Sequence, residues 1–210
     1  MITIVDYGVG NLHSIQYKLE KEGFPCCISK NSETIRAATV LILAGVGHFG
    51  FAMQNLKISG LLPVLNFKVL EEKTPIFGIC LGFQLFTKYS QEGHTEGLGW
   101  IEAETRKFDF NAASSPLKIP HVGWNTLSIS NKTPFLEEIS DKQRFYFTHS
   151  YHVICSNPEV VAATTQYGHA FVSAIHQQNI FGTQFHPEKS HRKGVEVLFR
   201  FIRHHLSPSD

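Results

Sequence analysis

The sequence predicts an α/β fold in which a central mixed sheet is flanked by helices. Over about the first 100 residues, short apolar runs alternate with helical patterns, which is typical of parallel strands joined by helices. From Trp100 to Phe185, apparent strands follow one another without long helices between them, which favours antiparallel additions to the sheet. The 210 residues can bury one large core, and no convincing linker or repeat divides them. We therefore expect a single domain over residues 1–210.

Before residue 90, strands and helices are expected to alternate. The stretch ITIV reads as a buried strand, and the helix after it carries Leu12, Ile15 and Leu19 on one face. Asn11 can cap this helix, because its side chain can accept a hydrogen bond from the first turn. The elements expected here are strands at 2–5, 26–29, 40–43 and 75–79, a helix after Asn11, a short helix from Ser32, two helical segments up to Thr74, and a helix from the Cys80 region to about Tyr89.

After residue 100, the apolar pattern indicates mainly strands. They are expected around 101–108, 124–129, 145–147, 160–165 and 180–185. The last element predicted is an amphipathic helix over 193–205. Its apolar face is formed by Val197, Leu198, Phe201 and Ile202.

The charge balance excludes some classes of partner. With 19 basic and 18 acidic residues, a formal charge of +1 gives no electrostatic reason to expect nucleic acid or an anionic membrane. Residues 1–10 lack the basic and apolar regions of a signal peptide, and no run approaches the roughly 18 apolar residues of a membrane span. We expect a cytoplasmic protein that acts on a small molecule or another protein.

The cysteines and histidines give no sign of a metal site. Cys26, Cys27, Cys80 and Cys155 form no CxxC pair, which favours a reducing compartment over a disulfide framework. The 12 histidines include no HExxH arrangement. We therefore expect neither a metal nor another cofactor.

Cys80 is the first candidate for chemistry. It is the central residue of Gly-x-Cys-x-Gly, between a predicted buried strand and a predicted helix, which is the form of a nucleophile elbow. The helix N-terminus would favour a thiolate and could receive a developing oxyanion. A cysteine after a buried strand is, however, more often a small core residue, so the elbow requires partners elsewhere in the chain.

His186 and Glu188 are candidate partners for Cys80. Proline at 187 disfavours helical geometry for His186, and residues two apart on an extended segment project to the same side. The imidazole could then act as a general base while Glu188 fixes its tautomer. The alternative is a surface turn with an ordinary histidine, because HxE is a short and common string.

The glycine-rich segment 45–50 allows two interpretations. It contains a literal GxGxxG after a strand, the pattern of a dinucleotide-binding loop, but it does not follow the first strand of the chain. No acidic residue ends a strand about 20 positions later, since Glu71 and Glu72 lie at a predicted helix end. Alternatively, the glycines let backbone N–H groups turn toward a reacting carbonyl oxygen near Cys80.

Three segments together, GVGHFG, GICLGFQLF and QFHPEKS, resemble the class I glutamine amidotransferases in order and separation. The strings IVDYGVGNLHS, PHVGWN and YFTHSYH are similar, within that family, to the glutaminase subunits of imidazole glycerol phosphate synthases. These matches span nearly the whole chain. They imply a flavodoxin-like fold with a mixed sheet and an enzyme that hydrolyses glutamine.

The resemblance also implies a role for each matching residue. Cys80 would be the nucleophile, His186 its acid/base partner and Glu188 the group that orients the histidine. The remaining implied site residues hold the oxyanion or the substrate L-glutamine: Gly45, Val46, Gly47 and Leu81 for the oxyanion, and Gln84, Ser150 and Tyr151 for the substrate.

A protein partner follows from the same resemblance. The family delivers ammonia through a channel to a synthase subunit with a (β/α)8 barrel, so the chain would be half of a heterodimer. Asn11, Trp124 and Lys189 match positions near that interface, although they could instead be a helix cap, a core residue and a solvated charge. Paralogues of this subunit supply ammonia for amidino-sugar formation in surface polysaccharides, and the segment 189–194 is similar to theirs.

Ala44 departs from the family, which commonly has proline at this position. Without a proline ring at position 44, the backbone of the 45–47 loop that would hold the oxyanion should rotate more easily. We predict higher glutaminase activity in the absence of a partner than in a proline-containing relative, measured as glutamate release. Ala44→Pro should lower this basal turnover, and an unchanged basal rate would contradict the prediction.

Overall fold

The computed structural model describes residues 1–110, 117–140 and 142–206. The strands in chain order are β1 (Ile2–Val5), β2 (Cys26–Ser29), β3 (Val40–Gly45), β4 (Ile76–Cys80), β5 (Tyr89–Ser90), β6 (Thr95–Glu96), β7 (Ala103–Lys107), β8 (His121–Thr126), β9 (Ser128–Ile129), β10 (Arg144–His149), β11 (Tyr151–Cys155), β12 (Val161–Tyr167), β13 (His169–Gln177) and β14 (Ile180–Thr183). The helices are α1 (Leu12–Lys21), α2 (Ser32–Arg36), α3 (Phe49–Ile58), α4 (Leu62–Asn66), α5 (Leu81–Gln84) and α6 (His191–Leu206). A π-helical segment (Phe67–Glu71) continues α4, and short 3₁₀ turns occur at Pro134–Leu136, Pro158–Val160 and Pro187–Lys189.

The first half of the main sheet is parallel, in the order β2-β1-β3-β4-β14. Strands β1, β3, β4 and β14 are buried along their whole length, because helices cover both faces. This explains why they read as unbroken apolar runs in the sequence. The α/β fold with a mixed sheet is confirmed.

The second half differs in part from the antiparallel additions that were expected. Strands β13, β11 and β7 do pair antiparallel in succession. Strand β14, however, lies parallel to β4, and β8 pairs with β10 in a separate two-stranded sheet. Strands β11 and β13 lie within the region expected to be rich in strands but were not located individually, because their mixed polar and apolar residues give weak periodicity.

Two apolar cores lie on opposite faces of the sheet. One packs α1 and α6 against it, through residues such as Leu12, Leu19 and Phe201. The other packs α3 and α4 through residues such as Met53 and Leu65. Helix α6 begins at His191, slightly before the predicted start. No helix in the described part of the chain is both long and apolar enough to cross a membrane.

The helix expected to run from Cys80 to about Tyr89 is much shorter, and that prediction was wrong. Helix α5 ends at Gln84. The N–H groups of Phe86 and Thr87 donate only three residues back, and the carbonyls of residues 85–88 accept from backbone N–H groups of residues 97–101, so this segment is held outside α-helical geometry. Lys88 N–H in turn donates to Ala103 O at 2.9 Å, which leads the chain into β5 beside β7.

Phe201 should be a principal anchor of α6. Its ring lies 4.9 Å from that of Phe77 and 5.0 Å from that of Phe181, and it is 1% exposed. We predict that Phe201→Ala lowers the free energy of unfolding by about 3–5 kcal/mol, because a buried ring is removed. The control Phe51→Ala, at a 55% exposed ring, should cost far less. Denaturant unfolding measures both, and equal losses would contradict this account of the core.

Candidate active site

Cys80 occupies a strained turn between β4 and α5. Its backbone has φ 53° and ψ −107°, a conformation that costs on the order of 1–3 kcal/mol in a non-glycine residue. The flanking glycines make the turn possible. A Cβ on Gly82 would lie 1.8 Å from Leu43 O, and one on Gly78 would lie 2.7 Å from Phe83 Cα. The predicted elbow is therefore present.

His186 reaches Cys80 because β14, the strand before it, lies beside β4. Its Nδ1 lies 2.8 Å from Glu188 Oε1, and since a carboxylate only accepts, Nδ1 carries the hydrogen. His186 and Glu188 were expected to pair along an extended segment, and this expectation was wrong. Residues Pro187–Lys189 form a 3₁₀ turn after an extended His186, and this turn brings the carboxylate back under the ring.

Charge around His186 favours the imidazolium. Burial alone would lower its pKa, but the negative charge of Cys80, followed by Glu188, outweighs burial and raises the pKa to about 10. The other ring nitrogen, Nε2, is buried without a hydrogen-bond partner among the described residues. Nε2 is thus the ring nitrogen available to the Cys80 sulfur, and an imidazole held in this way can take a thiol proton and later protonate a leaving group.

A cavity of about 290 Å³ opens beside Cys80. It brings together the sequence-predicted residues Val46, Gly47, Leu81, Gln84, Ser150 and Tyr151. It is also lined by residues that sequence reasoning did not identify, Glu92, Pro120, Thr148 and His149. Gly45 lies instead in a small adjoining cleft that contains His186, Glu188, Asn11 and Lys189. A larger groove of about 860 Å³ runs past Phe108 and His152, and the triad is not among its lining residues.

The glycine loop lies across from Cys80. Gly45 ends β3 opposite Cys80, and Gly47 has φ 120°, which favours glycine. The Tyr7 hydroxyl packs so closely on Gly45 that a Cβ there would lie 2.2 Å from it. Burial, and then the charge of Cys80, raises the Tyr7 pKa, so this hydroxyl stays neutral. Sequence reasoning missed Tyr7, although it stands in the quoted string IVDYGVGNLHS.

The first turn of α3 does not resemble an open phosphate site. Phe49 N–H donates to Glu92 Oε2 at 2.8 Å, and Gly50 N–H donates to His48 Nδ1 at 3.1 Å. A carboxylate of the chain thus already takes the place that a phosphate would take. The geometry does not favour the dinucleotide interpretation of GxGxxG.

Gln84 is fixed in orientation. Its Nε2 lies 2.9 Å from Tyr151 O and 2.9 Å from Gln184 Oε1. A backbone carbonyl only accepts, so both amide hydrogens are used, and Oε1 is left for a ligand in the cavity.

Two buried histidines support the same wall of the cavity. His149 Nδ1 lies 2.8 Å from Tyr151 O and must donate, so its Nε2 accepts from His121 Nδ1 at 3.1 Å. Burial lowers the pKa of His149 to about 3 and that of His121 to about 4. Both rings are therefore neutral at pH 7. No sequence signal pairs these positions, because they lie on different strands.

The three residues expected at a partner interface are all exposed. Asn11 caps α1 by accepting from Ser14 N–H at 3.4 Å, which confirms its capping role. The Trp124 ring is 40% exposed, which excludes a core role, and it stacks on His191 with a centroid distance of 4.6 Å.

Comparison with known proteins gives consistent similarities. The model of the glutamine amidotransferase class-I family matches residues 3–205. The imidazole glycerol phosphate synthase subunit HisH 2 of Methanococcus maripaludis is 48% identical over 97% of this chain and 99% of its own length. The subunit HisH 1 of Campylobacter jejuni is 47% identical over 97% of this chain and 100% of its own.

Solved structures show the same fold at lower identity. PurLQS of Thermotoga maritima has a TM-score of 0.70 and 18% identity, covering 97% of each chain. The glutaminase domain of Trypanosoma brucei CTPS has a TM-score of 0.67 and 16% identity, covering 97% of this chain and 92% of that one. These likenesses support the architecture of the sheet.

The neutral His149 should make the fold sensitive to acid. The unfolded chain takes up a proton on this residue near pH 6.5, whereas the folded chain does so only near pH 3. Stability is therefore lost as the pH falls below 6.5. We predict that His149→Gln reduces the loss in unfolding free energy between pH 6.5 and 4.5 by on the order of 1–2 kcal/mol. The control His13→Gln, at an exposed position, should leave this loss unchanged. An identical pH dependence of stability in the wild type and both variants would contradict the assignment of His149 as a neutral buried ring.

Proposed function

The chain belongs to the class I glutamine amidotransferase family, and on that basis we propose that it is the glutaminase subunit of an imidazole glycerol phosphate synthase. The observation that carries this proposal is the arrangement of His186 and Glu188 beside Cys80 at a strained elbow. The names and coverage of the most similar relatives support the specific enzyme. They give no support to the amidino-sugar paralogue or to a dinucleotide-binding domain.

The proposed reaction has two stages. The Cys80 thiolate attacks the side-chain carboxamide carbon of glutamine, and the tetrahedral oxyanion is held by N–H groups of Leu81 and the 45–47 loop. His186 then protonates the leaving nitrogen, which departs as ammonia and leaves a glutamyl thioester. Water, deprotonated by His186, attacks the thioester and releases glutamate. The sum is glutamine plus water to glutamate plus ammonia.

The cavity beside Cys80 fits the amino-acid end of glutamine. Gln84 Oε1 can accept from the substrate ammonium, and the Ser150–Tyr151 segment lies beside Gln84 in the lining. The carboxylate of Glu92 adds negative charge to the same cavity. Substrate ammonium would therefore be held by Gln84 and Glu92, and the carboxamide would lie near Cys80.

We place the synthase partner on the face that carries Asn11, Trp124 and Lys189. The relatives are named as subunits. Asn11 and Lys189 line the small cleft that contains His186 and Glu188, and the exposed Trp124 lies on β8, which pairs with β10. A groove beside Trp124 is lined by Lys142, Arg144, Arg192 and Lys193, so an acidic patch on a barrel-shaped partner would complement it. Ammonia would pass across this interface. A biosynthetic role of this kind fits the cytoplasmic location expected from the sequence.

The proposal predicts glutaminase activity that depends on Cys80 and on a loaded partner. Cys80→Ala should lower glutamate release on the order of 10³-fold or more, because the nucleophile is removed. Cys155→Ala, at a half-buried cysteine away from the elbow, is the matched control and should retain activity.

The assay compares the chain alone with the chain plus its synthase partner and the partner's acceptor substrate. Turnover should rise when the loaded partner is present, and Trp124→Ala should weaken that rise. Absence of Cys80-dependent turnover with every cognate partner tried would contradict the proposed function.

A further inference from the structure

Gln184 is a buried polar residue that the triad does not use. It follows β14 and is 0% exposed, and its backbone N–H still pairs with Ser173 O at 2.9 Å. Its side chain lies between two residues of the site, since Nε2 is 3.7 Å from Cys80 Sγ and Oε1 is 2.9 Å from Gln84 Nε2. A glutamine in this position can act on the nucleophile directly.

The orientation of the Gln184 amide follows from its neighbours. Gln84 must present Nε2 to the Tyr151 carbonyl, and the second hydrogen of the same nitrogen points at Gln184. Gln184 must therefore offer its oxygen to Gln84, which leaves its nitrogen facing the sulfur. A flipped amide would put two donors against each other and a carbonyl oxygen against the sulfur.

An N–H donor and a carbonyl acceptor have opposite effects on a thiol. Thr148 O lies 4.0 Å from Cys80 Sγ and can accept only from the protonated S–H. The Gln184 N–H can donate to the thiolate and stabilises it relative to the thiol, because hydrogen bonds to ionised groups are the stronger ones. Gln184 is thus a neutral group that favours the reactive form of the sulfur.

We propose that Gln184 is a further catalytic residue, which donates to the Cys80 thiolate and couples it to the substrate-facing Gln84. When a substrate engages Gln84 Oε1, the fixed chain Gln84–Gln184–Cys80 aligns the sulfur with the carboxamide. The coupling to substrate rests on the proposed function, whereas the effect on the thiolate does not.

Several ionisable groups also face Cys80 and must be kept constant in the test. They are His186 and Glu188 on the turn after β14, Tyr7 after β1, His149 at the end of β10 and Glu92 across the cavity. Substitutions at Gln184 leave all of them in place. The pH dependence of sulfur reactivity therefore isolates the contribution of the amide.

The test uses Gln184→Met, which keeps the length but removes the donor, and Gln184→Glu, which replaces the donor with a charge. The control is Thr183→Val, a buried polar-to-apolar change on the same strand, whose hydroxyl bonds Phe185 O rather than the sulfur. Iodoacetamide alkylation of Cys80 is followed by peptide mass over a pH range, and glutamate release is measured with the loaded partner.

We expect the apparent pKa of Cys80 alkylation to rise by about one unit in Gln184→Met, because the thiolate loses a hydrogen-bond donor. It should rise further in Gln184→Glu, because a carboxylate repels the thiolate. Glutaminase kcat should fall by about 10- to 100-fold in both Gln184 variants. The control Thr183→Val should keep the wild-type alkylation profile. Should Gln184→Met fail to fold, Gln184→Asn carries the test, since its shorter amide cannot reach the sulfur.

A wild-type alkylation profile in folded Gln184 variants would overturn the inference, even if turnover fell, because that result indicates a merely structural role. A shifted profile in a chain that shows no glutaminase activity with any partner would support the role of Gln184 at the sulfur. The same result would contradict the proposed function, so the two failures can be told apart.

Discussion

The site depends on one backbone constraint, the reversal of the chain at Cys80 where parallel strands end side by side. Cys80 can hold a positive φ only because Gly82 clears Leu43 O and Gly78 clears Phe83. Strands β3 and β14, on either side of β4, then deliver the glycine loop and His186 to the same edge of the sheet. Cys80, His186 and the glycine loop thus come together through strand order, although they are far apart in sequence.

Two buried histidines at this edge have pKa values that shift in opposite directions. His149 and His186 are both buried, yet the pKa of His149 falls to about 3 and that of His186 rises to about 10. The difference lies in the neighbouring groups, since Cys80 and Glu188 both raise the pKa of His186, whereas His149 meets a carbonyl and another neutral ring. His186 is held beside Cys80 with a raised pKa, and His149 supports the cavity beside Cys80 as a neutral hydrogen-bond link.

The sequence was sufficient for the parallel strands and the elbow, because unbroken apolar runs and Gly-x-Cys-x-Gly are local signals. It was not sufficient for the length of α5, which is set by hydrogen bonds from residues 97–101, or for the parallel pairing of β14. Gln184, His149 and Glu92 were missed for the same reason. Their roles come from contacts between strands and loops far apart in the chain, and no short-range pattern encodes those contacts.

The most direct test of the central claim is covalent labelling with a chloroketone analogue of glutamine. If Cys80 is the nucleophile that meets the substrate carboxamide, its thiolate should displace chloride to form a thioether, with loss of activity in proportion to labelling. Peptide mass analysis should place one label on Cys80, with protection by glutamine and no label in Cys80→Ala. A label on Cys26, Cys27 or Cys155 instead, or labelling that glutamine does not slow, would contradict the account.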